Sequence, residues 1–228
     1  MKPSSIYIIV PVYNEATVVE QTIIDLLKYP YSIILVDDGS TDNVQEIVKK
    51  YPIIFIKHSL NLGQGAALQT GMEMAKRLNA EIVIHFDADG QHNSDNIKNI
   101  IEPIFNNECD VVFGSRFLKK EDDQKIPFNK KVVLKTARYI NWIFTGILLS
   151  DAHNGLRALN KNALEKIVIT ENKMAHASEI LFEVKKYKLR YKEVPVTINY
   201  TKYSTQKGQK GMNAINIFFD LLFKKSGL

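Results

Sequence analysis

The 228-residue sequence contains a single cysteine, Cys109, and no apolar run near the roughly 18 residues that a membrane-spanning helix requires. One cysteine excludes a disulfide framework, and we expect Cys109 to be a small buried hydrophobe. No secretory signal is visible at the start. A strong excess of one charge is also missing. The net charge is +5 and the basic residues are scattered, which argues against nucleic-acid binding. We therefore expect a cytoplasmic globular protein.

The hydrophobic pattern predicts one α/β domain. Strand and helix patterns alternate through residue 117, which is typical of a mostly parallel sheet with helices on both faces. The pattern then changes, and residues 118–228 are interpreted as a lobe packed on the same sheet. Its predicted parts are a charged loop at 119–125, an apolar helix at 135–150, helices at 161–167 and 177–187, strands within 189–200 and a helix at 213–224. We therefore divide the domain into residues 1–117 and 118–228.

The most informative stretch is IVIHFDADGQH at residues 82–92. A mostly apolar run, interpreted as a buried strand, ends in two carboxylates, Asp87 and Asp89. Open α/β sheets bind their ligands just past the carboxyl ends of such strands. Two hard oxygen ligands with room for water and phosphate suit Mg²⁺ or Mn²⁺ holding a diphosphate. A bare D-x-D is also compatible with a polar turn that caps the next helix, so this stretch does not decide alone.

Other predicted strands end in polar residues as well. Together these ends predict a crevice lined with acids and one guanidinium, and they carry Asn14 and Glu15, Asp37 and Asp38, and Ser115 and Arg116. Each has a simpler alternative. The Asp37–Asp38 pair can bind a base or ribose, or form an Asx turn. Glu15 can bind a ribose hydroxyl or serve as charge at a helix N-terminus. Arg116 can clamp a phosphate or form a surface ion pair.

A glycine loop, Gly63-Gln64-Gly65, precedes the third predicted helix. Such loops let backbone N–H groups approach a phosphate or ribose, although a plain helix start explains the pattern as well. The third glycine of a dinucleotide fingerprint is missing, and no Gly-Lys-Ser/Thr follows as in a P-loop. His85 is interpreted as a core histidine. His92 is either a ligand or part of an exposed turn.

Taken together, these motifs resemble the family 2 inverting glycosyltransferases of GT-A fold, and within them the dolichyl-phosphate and undecaprenyl-phosphate sugar transferase branch. The matching segments are VPVYNE (10–15), VDDGSTD (36–42), NLGQGAA (61–67), DADGQH (87–92), GSR (114–116), DAHNGLR (151–157) and EVPV (193–196). The ordered set covers most of the chain. It makes residues 1–117 a nucleotide-sugar-binding half and residues 118–228 an acceptor-side lobe.

The resemblance implies a role for each matching position. The nucleotide-sugar site, for a UDP- or GDP-sugar, would comprise Pro11, Tyr13, Glu15, Asp37 or Asp38, Gly65, Asp87, Asp89 and Arg116. Within it, Asp89 would coordinate Mg²⁺ or Mn²⁺ with Gln91 and Asp87. Arg116 and Arg157 would face phosphates. The metal and Arg116 would stabilise the departing diphosphate during direct displacement with inversion at the anomeric carbon.

The acceptor stays open between a polyprenyl phosphate and a glycan precursor, because the sequence departs from the resembled pattern twice. Many relatives end in transmembrane helices, and this sequence has no stretch of that kind. Many relatives also carry a short basic loop where this sequence has a longer one at 200–210. Lys207 and Lys210 in that loop can serve a lipid phosphate. Glu179 occupies the position of a catalytic base in many relatives, although its ASEI context is not the common E-D pair. A phosphate acceptor needs no strong base, whereas a sugar hydroxyl does.

Two further interpretations remain at this stage. A nucleotidyltransferase also places acids after a strand, but it should carry a glycine-rich basic loop near its first strand. A catalytically silent nucleotide-sugar or glycan-binding module is the other alternative. The apolar stretches 139–149 and 215–223 are too short to span a bilayer and predict peripheral attachment to the cytoplasmic membrane face, with burial in the core or in a homodimer as the alternative.

Overall fold

The computed structural model describes residues 5–118, 142–143, 145–152, 154–173 and 175–199. Strands and helices alternate along most of this part of the chain. In order they are β1 (Ile6–Val12), α1 (Val19–Leu26), β2 (Ser32–Asp37), α2 (Val44–Val48), β3 (Ile54–Lys57), α3 (Gln64–Arg77), β4 (Ile82–His85), α4 (Asn96–Phe105), β5 (Val111–Ser115), β6 (Arg157–Asn160), α5 (Lys161–Lys166), α6 (His176–Lys186) and β7 (Tyr191–Pro195).

The seven strands form one sheet in the order β3-β2-β1-β4-β6-β5-β7. Neighbouring strands are parallel, except that β6 runs antiparallel to both β4 and β5. The chain winds outward from β1 to β3 and then crosses back to β4 on the other side of β1. The strand order therefore reverses between β1 and β4, and an open α/β sheet binds its ligands at such a switch point.

The sheet is buried on both faces because its strands carry apolar side chains on each side. In β1, Ile6, Ile8 and Val10 pack into one core, while Tyr7 and Ile9 pack into the other. Apolar residues of α1, α2 and α4 complete the first core, and those of α3, α5 and α6 complete the second. The prediction of a mostly parallel α/β sheet with helices on both faces is confirmed.

The later part of the chain contributes to this same sheet, since β6 lies inside it and β7 forms one edge. The helix predicted at 135–150 is wrong at its carboxyl end. Gly146 has φ +69°, a backbone conformation that ends helices, and residues 147–149 are not helical. Most of that segment, the loop at 119–125 and the helix predicted at 213–224 lie outside the described residues. Within the described ranges, no helix is long and apolar enough to cross a membrane.

Candidate active site

The site lies along the edge of the sheet that is formed by the ends of the strands, not along the outer strand β7. Strand ends of both directions meet there. The carboxyl ends of β1, β2, β4 and β5 lie there because these strands are parallel. Since β6 is antiparallel, its amino end joins them, and Arg157 pairs in register with His85 of β4 and Phe113 of β5. The segment before β6 is thereby brought beside the D-x-D turn that follows β4.

Asp87, the first acid of that turn, is held on both oxygens. Gln64 Nε2 donates to Oδ1 at 2.8 Å, and His92 Nε2 lies 3.3 Å from Oδ2. Gly155 lies against the same carboxylate, because a Cβ on that glycine would stand 1.9 Å from Asp87 Oδ2. Only a residue without a side chain allows this close approach. His92, left open between a ligand and an exposed turn, is thus a contact of Asp87.

Asp89, the second acid, is held by Gln91. The Gln91 backbone N–H donates to Oδ1 at 3.0 Å, and the side-chain Nε2 donates to Oδ2 at 2.8 Å. Gln91 is itself fixed by its carbonyl, which accepts the N–H of Asn199 at 2.8 Å. The predicted metal set of Asp87, Asp89 and Gln91 therefore lies together in one turn, while its role as a metal site stays a prediction.

The two acids differ in electrostatic environment. Burial raises the pKa of Asp89, and the negative charge of Asp87 raises it further. Burial also works to raise the pKa of Asp87, but the hydrogen bond from His92 and the charge of Arg157 outweigh it, so the pKa of Asp87 is lowered. The charge of Asp87 therefore opposes ionisation of Asp89, and a nearby cation would relieve this repulsion.

The donor chemistry of this turn fits a hard divalent cation. Its candidate ligands are the carboxylate oxygens of Asp87 and Asp89 and the amide oxygen of Gln91, and Mg²⁺ and Mn²⁺ prefer oxygen ligands. Among the described residues, no three His, Cys, Asp or Glu side chains converge as a complete metal site. A magnesium-type ion commonly takes one or two carboxylates and fills its other positions with water and phosphate oxygens.

The two acids after β2 have different partners. Asp38 is fully engaged, because Oδ1 accepts the N–H of Leu62 at 3.0 Å and contacts His58 Nδ1 at 2.8 Å, while Oδ2 accepts the N–H of Gly63 at 2.7 Å. Asp37 Oδ1 accepts the N–H of Ser40 at 2.8 Å. Within the described part of the chain, Asp37 Oδ2 accepts no hydrogen bond. Its partner there is Lys57, whose Nζ lies 3.3 Å away as an ion pair, so in that part of the chain Asp37 has one oxygen without a hydrogen bond whereas Asp38 has none.

The residues after β1 flank these acids. Pro11 lies within β1, paired in register with Val36. Tyr13 follows at the edge and is 42% exposed, whereas Glu15 is buried. The Glu15 charge acts on the pKa of Asp89, which places the two acids near each other. Their predicted contacts with the nucleoside remain untested.

The two predicted phosphate-binding arginines are both buried. Arg116 makes a bidentate ion pair with Asp151, with Nε 2.6 Å from Oδ2 and Nη2 3.2 Å from Oδ1. Arg157 donates through Nη2 to the carbonyl of Asn154 at 3.1 Å, and burial lowers its pKa to about 10. Each guanidinium is therefore fixed by the protein, and phosphate binding by either stays a prediction.

The glycine loop is also occupied by protein contacts. The N–H groups of Gly65 and Ala66 donate to the carbonyl of Asn172, at 2.8 and 3.3 Å. Glu179, the candidate base, is buried and accepts hydrogen bonds from the segment just before Asn172. Donor binding by Gly65 and base catalysis by Glu179 both stay predictions. Lys207 and Lys210 lie outside the described residues.

Three side chains that hold the site in place were not predicted to do so from the sequence. Gln64 fixes Asp87, Asp151 fixes Arg116, and Glu193 Oε1 accepts the N–H of Ser150 at 2.7 Å just before Asp151. Asp151 and Glu193 lie inside the segments DAHNGLR and EVPV. The sequence motifs therefore marked both residues but did not indicate which residues they contact.

The sequence model of glycosyl transferase family 2 matches residues 7–168. The chain belongs to this family. The match spans every strand end described above and the segment before β6. The chain is therefore a glycosyltransferase, and the interpretation as a nucleotidyltransferase is wrong, as is that of a silent binding module. The expected resemblance to family 2 is confirmed.

Relatives within family 2 extend the similarity over the whole chain. A UDP-N-acetylglucosamine–dolichyl-phosphate N-acetylglucosaminyltransferase from Methanococcus voltae is 36% identical over 249 residues, covering 100% of this chain and 98% of that protein. A dolichol-phosphate mannosyltransferase from Pyrococcus furiosus is 31% identical, covering 83% of this chain and 55% of that protein. The similarity to the dolichyl-phosphate sugar transferase branch is thereby confirmed.

Solved structures share the fold. Glucosyl-3-phosphoglycerate synthase from Mycobacterium tuberculosis, in complex with phosphoglyceric acid, superposes with a TM-score of 0.70 at 16% identity, over 94% of this chain and 79% of that chain. The same enzyme in complex with Mn²⁺, UDP-glucose and glycerol 3-phosphate gives a TM-score of 0.66 at 16% identity, over 98% of this chain and 80% of that chain. The predicted GT-A fold is confirmed.

Proposed function

We propose that this family 2 enzyme transfers a sugar from a UDP-sugar to a polyprenyl phosphate, with inversion and with a divalent metal at the D-x-D turn. The observation that carries the proposal is the pairing of Asp87 and Asp89 at the switch point of the sheet, with the buried Arg157 close enough to act on the pKa of Asp87. Paired acids suit a cation, and a diphosphate needs cationic partners.

Asp37 Oδ2, which accepts no hydrogen bond among the described residues and is ion-paired with Lys57, supports a uracil base. Uracil offers one imide N–H, which matches the single oxygen Oδ2, whereas guanine presents an N–H and an amino group side by side and suits two free oxygens. Lys57 Nζ lies 3.3 Å from Oδ2, so the base would displace a side chain that is 38% exposed. The Methanococcus voltae relative is named for a UDP-sugar donor, which points the same way.

The state of Glu179 supports a phosphate acceptor. Both of its oxygens already accept hydrogen bonds, from Thr170 and Glu171, so a base there would first have to give up these contacts. A polyprenyl phosphate is an anion at neutral pH and attacks without a base. The two curated relatives described above are named for dolichyl or dolichol phosphate. A lipid acceptor in turn requires that the site work at a membrane surface.

The proposed step is one in-line displacement. A phosphate oxygen of the acceptor forms a bond to the anomeric carbon while the bond from that carbon to the β-phosphate oxygen breaks, and UDP departs with the electron pair. A divalent metal bound at this turn would supply Lewis-acid neutralisation of the departing diphosphate. Asp87 and Asp89 would hold that ion, and Arg157 would add positive charge on the same side.

The test is transfer from labelled donors to undecaprenyl phosphate and dolichyl phosphate in mixed micelles, with Mn²⁺ or with EDTA. We expect a glycolipid product from a UDP-sugar, no product with EDTA, and inverted anomeric configuration by NMR. Product from GDP-mannose alone would refute the uridine assignment. Transfer to a soluble glycan in preference to the lipid would refute the acceptor.

A pair of variants tests the base contact. Asp37→Asn should weaken UDP binding in calorimetry, because an asparagine has only one acceptor oxygen. If that oxygen keeps the hydrogen bond from the Ser40 N–H, the NH₂ group faces the imide N–H of uracil and cannot accept it. Asp25→Asn removes an exposed carboxylate that pairs with Lys28, and it should leave UDP binding unchanged. Equal UDP affinity in both variants would rule out Asp37 as the base acceptor.

A further inference from the structure

Glu179 lies in the first turn of α6 and is 7% exposed. It accepts three hydrogen bonds from a neighbouring segment, residues 170–172, which we call the brace. The N–H of Thr170 donates to Oε2 at 2.9 Å, its hydroxyl to Oε1 at 2.5 Å, and the N–H of Glu171 to Oε2 at 2.9 Å. Hydrogen bonds to an ionised acceptor are stronger than neutral ones, so this carboxylate fixes the brace.

The brace in turn holds the start of α3. The carbonyl of Asn172 accepts the N–H groups of Gly65 and Ala66, which belong to the first turn and have no partner inside the helix. The two backbones touch: a Cβ on Gly63 would lie 2.2 Å from the Asn172 oxygen, and one on Gly65 would lie 2.0 Å from the Glu171 oxygen. The glycines are thus required by the brace itself.

The start of α3 leads to the D-x-D turn. Gln64 lies between the two glycines and donates through Nε2 to Asp87 Oδ1 at 2.8 Å. The Asp38 carboxylate holds the other end of the loop through the N–H of Gly63 at 2.7 Å. A continuous set of contacts therefore runs from Glu179 through the brace and Gln64 to Asp87.

We propose that Glu179 is a positioning residue for the donor site, which acts by holding the brace against the glycine loop, and that it is not the general base. The inference rests on the proposed function only in treating Asp87 as part of the donor and metal site. The contacts from Glu179 to Gln64 stand independently of the sugar, the base or the acceptor.

The first test needs no ligand. Hydrogen–deuterium exchange of peptides covering residues 62–68 is compared between wild type and Glu179→Gln. A glutamine offers one acceptor oxygen in place of two, so at least one of the three donors loses its partner. Loss of a charged hydrogen bond is worth about tenfold in opening, and we expect the N–H groups of Gly65 and Ala66 to exchange about tenfold faster. Unchanged exchange would overturn the proposal.

The matched control is Glu183→Gln on the same helix. Glu183 forms an ion pair with Lys186, so its substitution leaves the brace contacts of Glu179 intact. This variant should show wild-type exchange at residues 62–68. If it accelerates exchange as much as Glu179→Gln does, the effect is a general loosening of α6 and the proposal fails.

Thr170→Val separates the positioning role from base catalysis. It removes the hydroxyl that donates a hydrogen bond to Glu179 and leaves the carboxylate of Glu179 in place. For a positioning residue, Thr170→Val and Glu179→Gln both weaken the binding of UDP with Mn²⁺, and the double variant adds little because both act on one contact set. For a base, Glu179→Gln lowers kcat by about 10² to 10⁴ and abolishes a limb of its pH profile, while Thr170→Val leaves kcat intact.

The two hypotheses fail separately. If wild type transfers no sugar to any lipid phosphate, the proposed function is wrong, while exchange at residues 62–68 still decides the role of Glu179. If transfer occurs and Glu179→Gln retains wild-type exchange and UDP affinity, the positioning role is wrong and the proposed function stands.

Discussion

Gly155→Ala should disable the site without unfolding the protein. The new methyl group would lie 1.9 Å from Asp87 Oδ2 and 2.6 Å from its Cγ, whereas ordinary contact begins near 3.4 Å. The difference, 3.4 less 1.9, means that the carboxylate must retreat by about 1.5 Å. The φ angle of Gly155 lies outside the left-handed region, so alanine is compatible with the backbone. The strain therefore falls on Asp87.

The expected loss follows from that displacement. A misplacement of about 1 Å in a catalytic site can lower the rate by about 10²-fold. We therefore expect kcat/KM for the UDP-sugar to fall about 100-fold, which corresponds to about 2.7 kcal/mol of lost transition-state stabilisation. The contacts of Asp87 with Gln64 and His92 must change as well, so the binding of UDP with Mn²⁺ should weaken in parallel.

The assay is steady-state transfer together with thermal unfolding of each variant. Gly146→Ala is the control, because its φ of +69° strains an alanine while the nearest atom to the new Cβ, on Lys185, is at 3.5 Å. That variant should lose roughly 1 kcal/mol of stability and keep its kcat/KM. Wild-type kcat/KM in Gly155→Ala would show that the position of Asp87 does not matter to the reaction.

Three further outcomes are expected. Asp151→Asn leaves the buried Arg116 without its bidentate partner and should lower the free energy of unfolding by about 3 kcal/mol in urea titration, with a near-neutral effect refuting the ion pair. Burial acts to raise the pKa of Asp110, but hydrogen bonds from Arg190 outweigh it and lower the pKa to about 2. This stabilisation, about 1 kcal/mol because Arg190 is half exposed, is present above pH 4 and lost toward pH 2, so Asp110→Asn should flatten the acid limb of the stability curve. Because burial and the charge of Asp87 raise the pKa of Asp89, Asp89→Asn should raise the melting temperature at pH values above that pKa and abolish metal-dependent UDP binding, and a lowered melting temperature would contradict the repulsion between the acids.

The parallel strands could be predicted because their apolar runs are nearly continuous, as expected for a sheet buried on both faces. Strand β6 could not. Its four residues, Arg157–Asn160, begin with a buried arginine and contain no apolar run. They are extended because β4 and β5 supply backbone partners on both sides, which is a property of the assembled sheet. The site depends on this strand, since it carries Arg157 and places Gly155 beside Asp87.

The sequence also identified the acids at the strand ends without distinguishing their partners. Asp38 and Glu179 resemble ligand-binding acids in the sequence, yet both are saturated by protein donors. Those donors lie 8 to 25 residues away along the chain, and Gln64 lies 23 residues from Asp87. Hydrogen-bond partners at such separations are decided by how loops cross the sheet edge, and no local pattern encodes that.

Asp89 thus differs from Asp38 and Glu179 in its contacts and in its effect on the folded state. Asp38 and Glu179 accept hydrogen bonds from backbone N–H groups of the neighbouring loops, so these contacts help to hold the loops in place. Burial and the negative charge of Asp87 raise the pKa of Asp89. A carboxyl whose pKa is raised by folding destabilises the folded state at every pH where it is ionised. Folding alone does not explain such a residue, whereas the binding of a cation by the pair does, because the cation relieves the repulsion that the fold maintains.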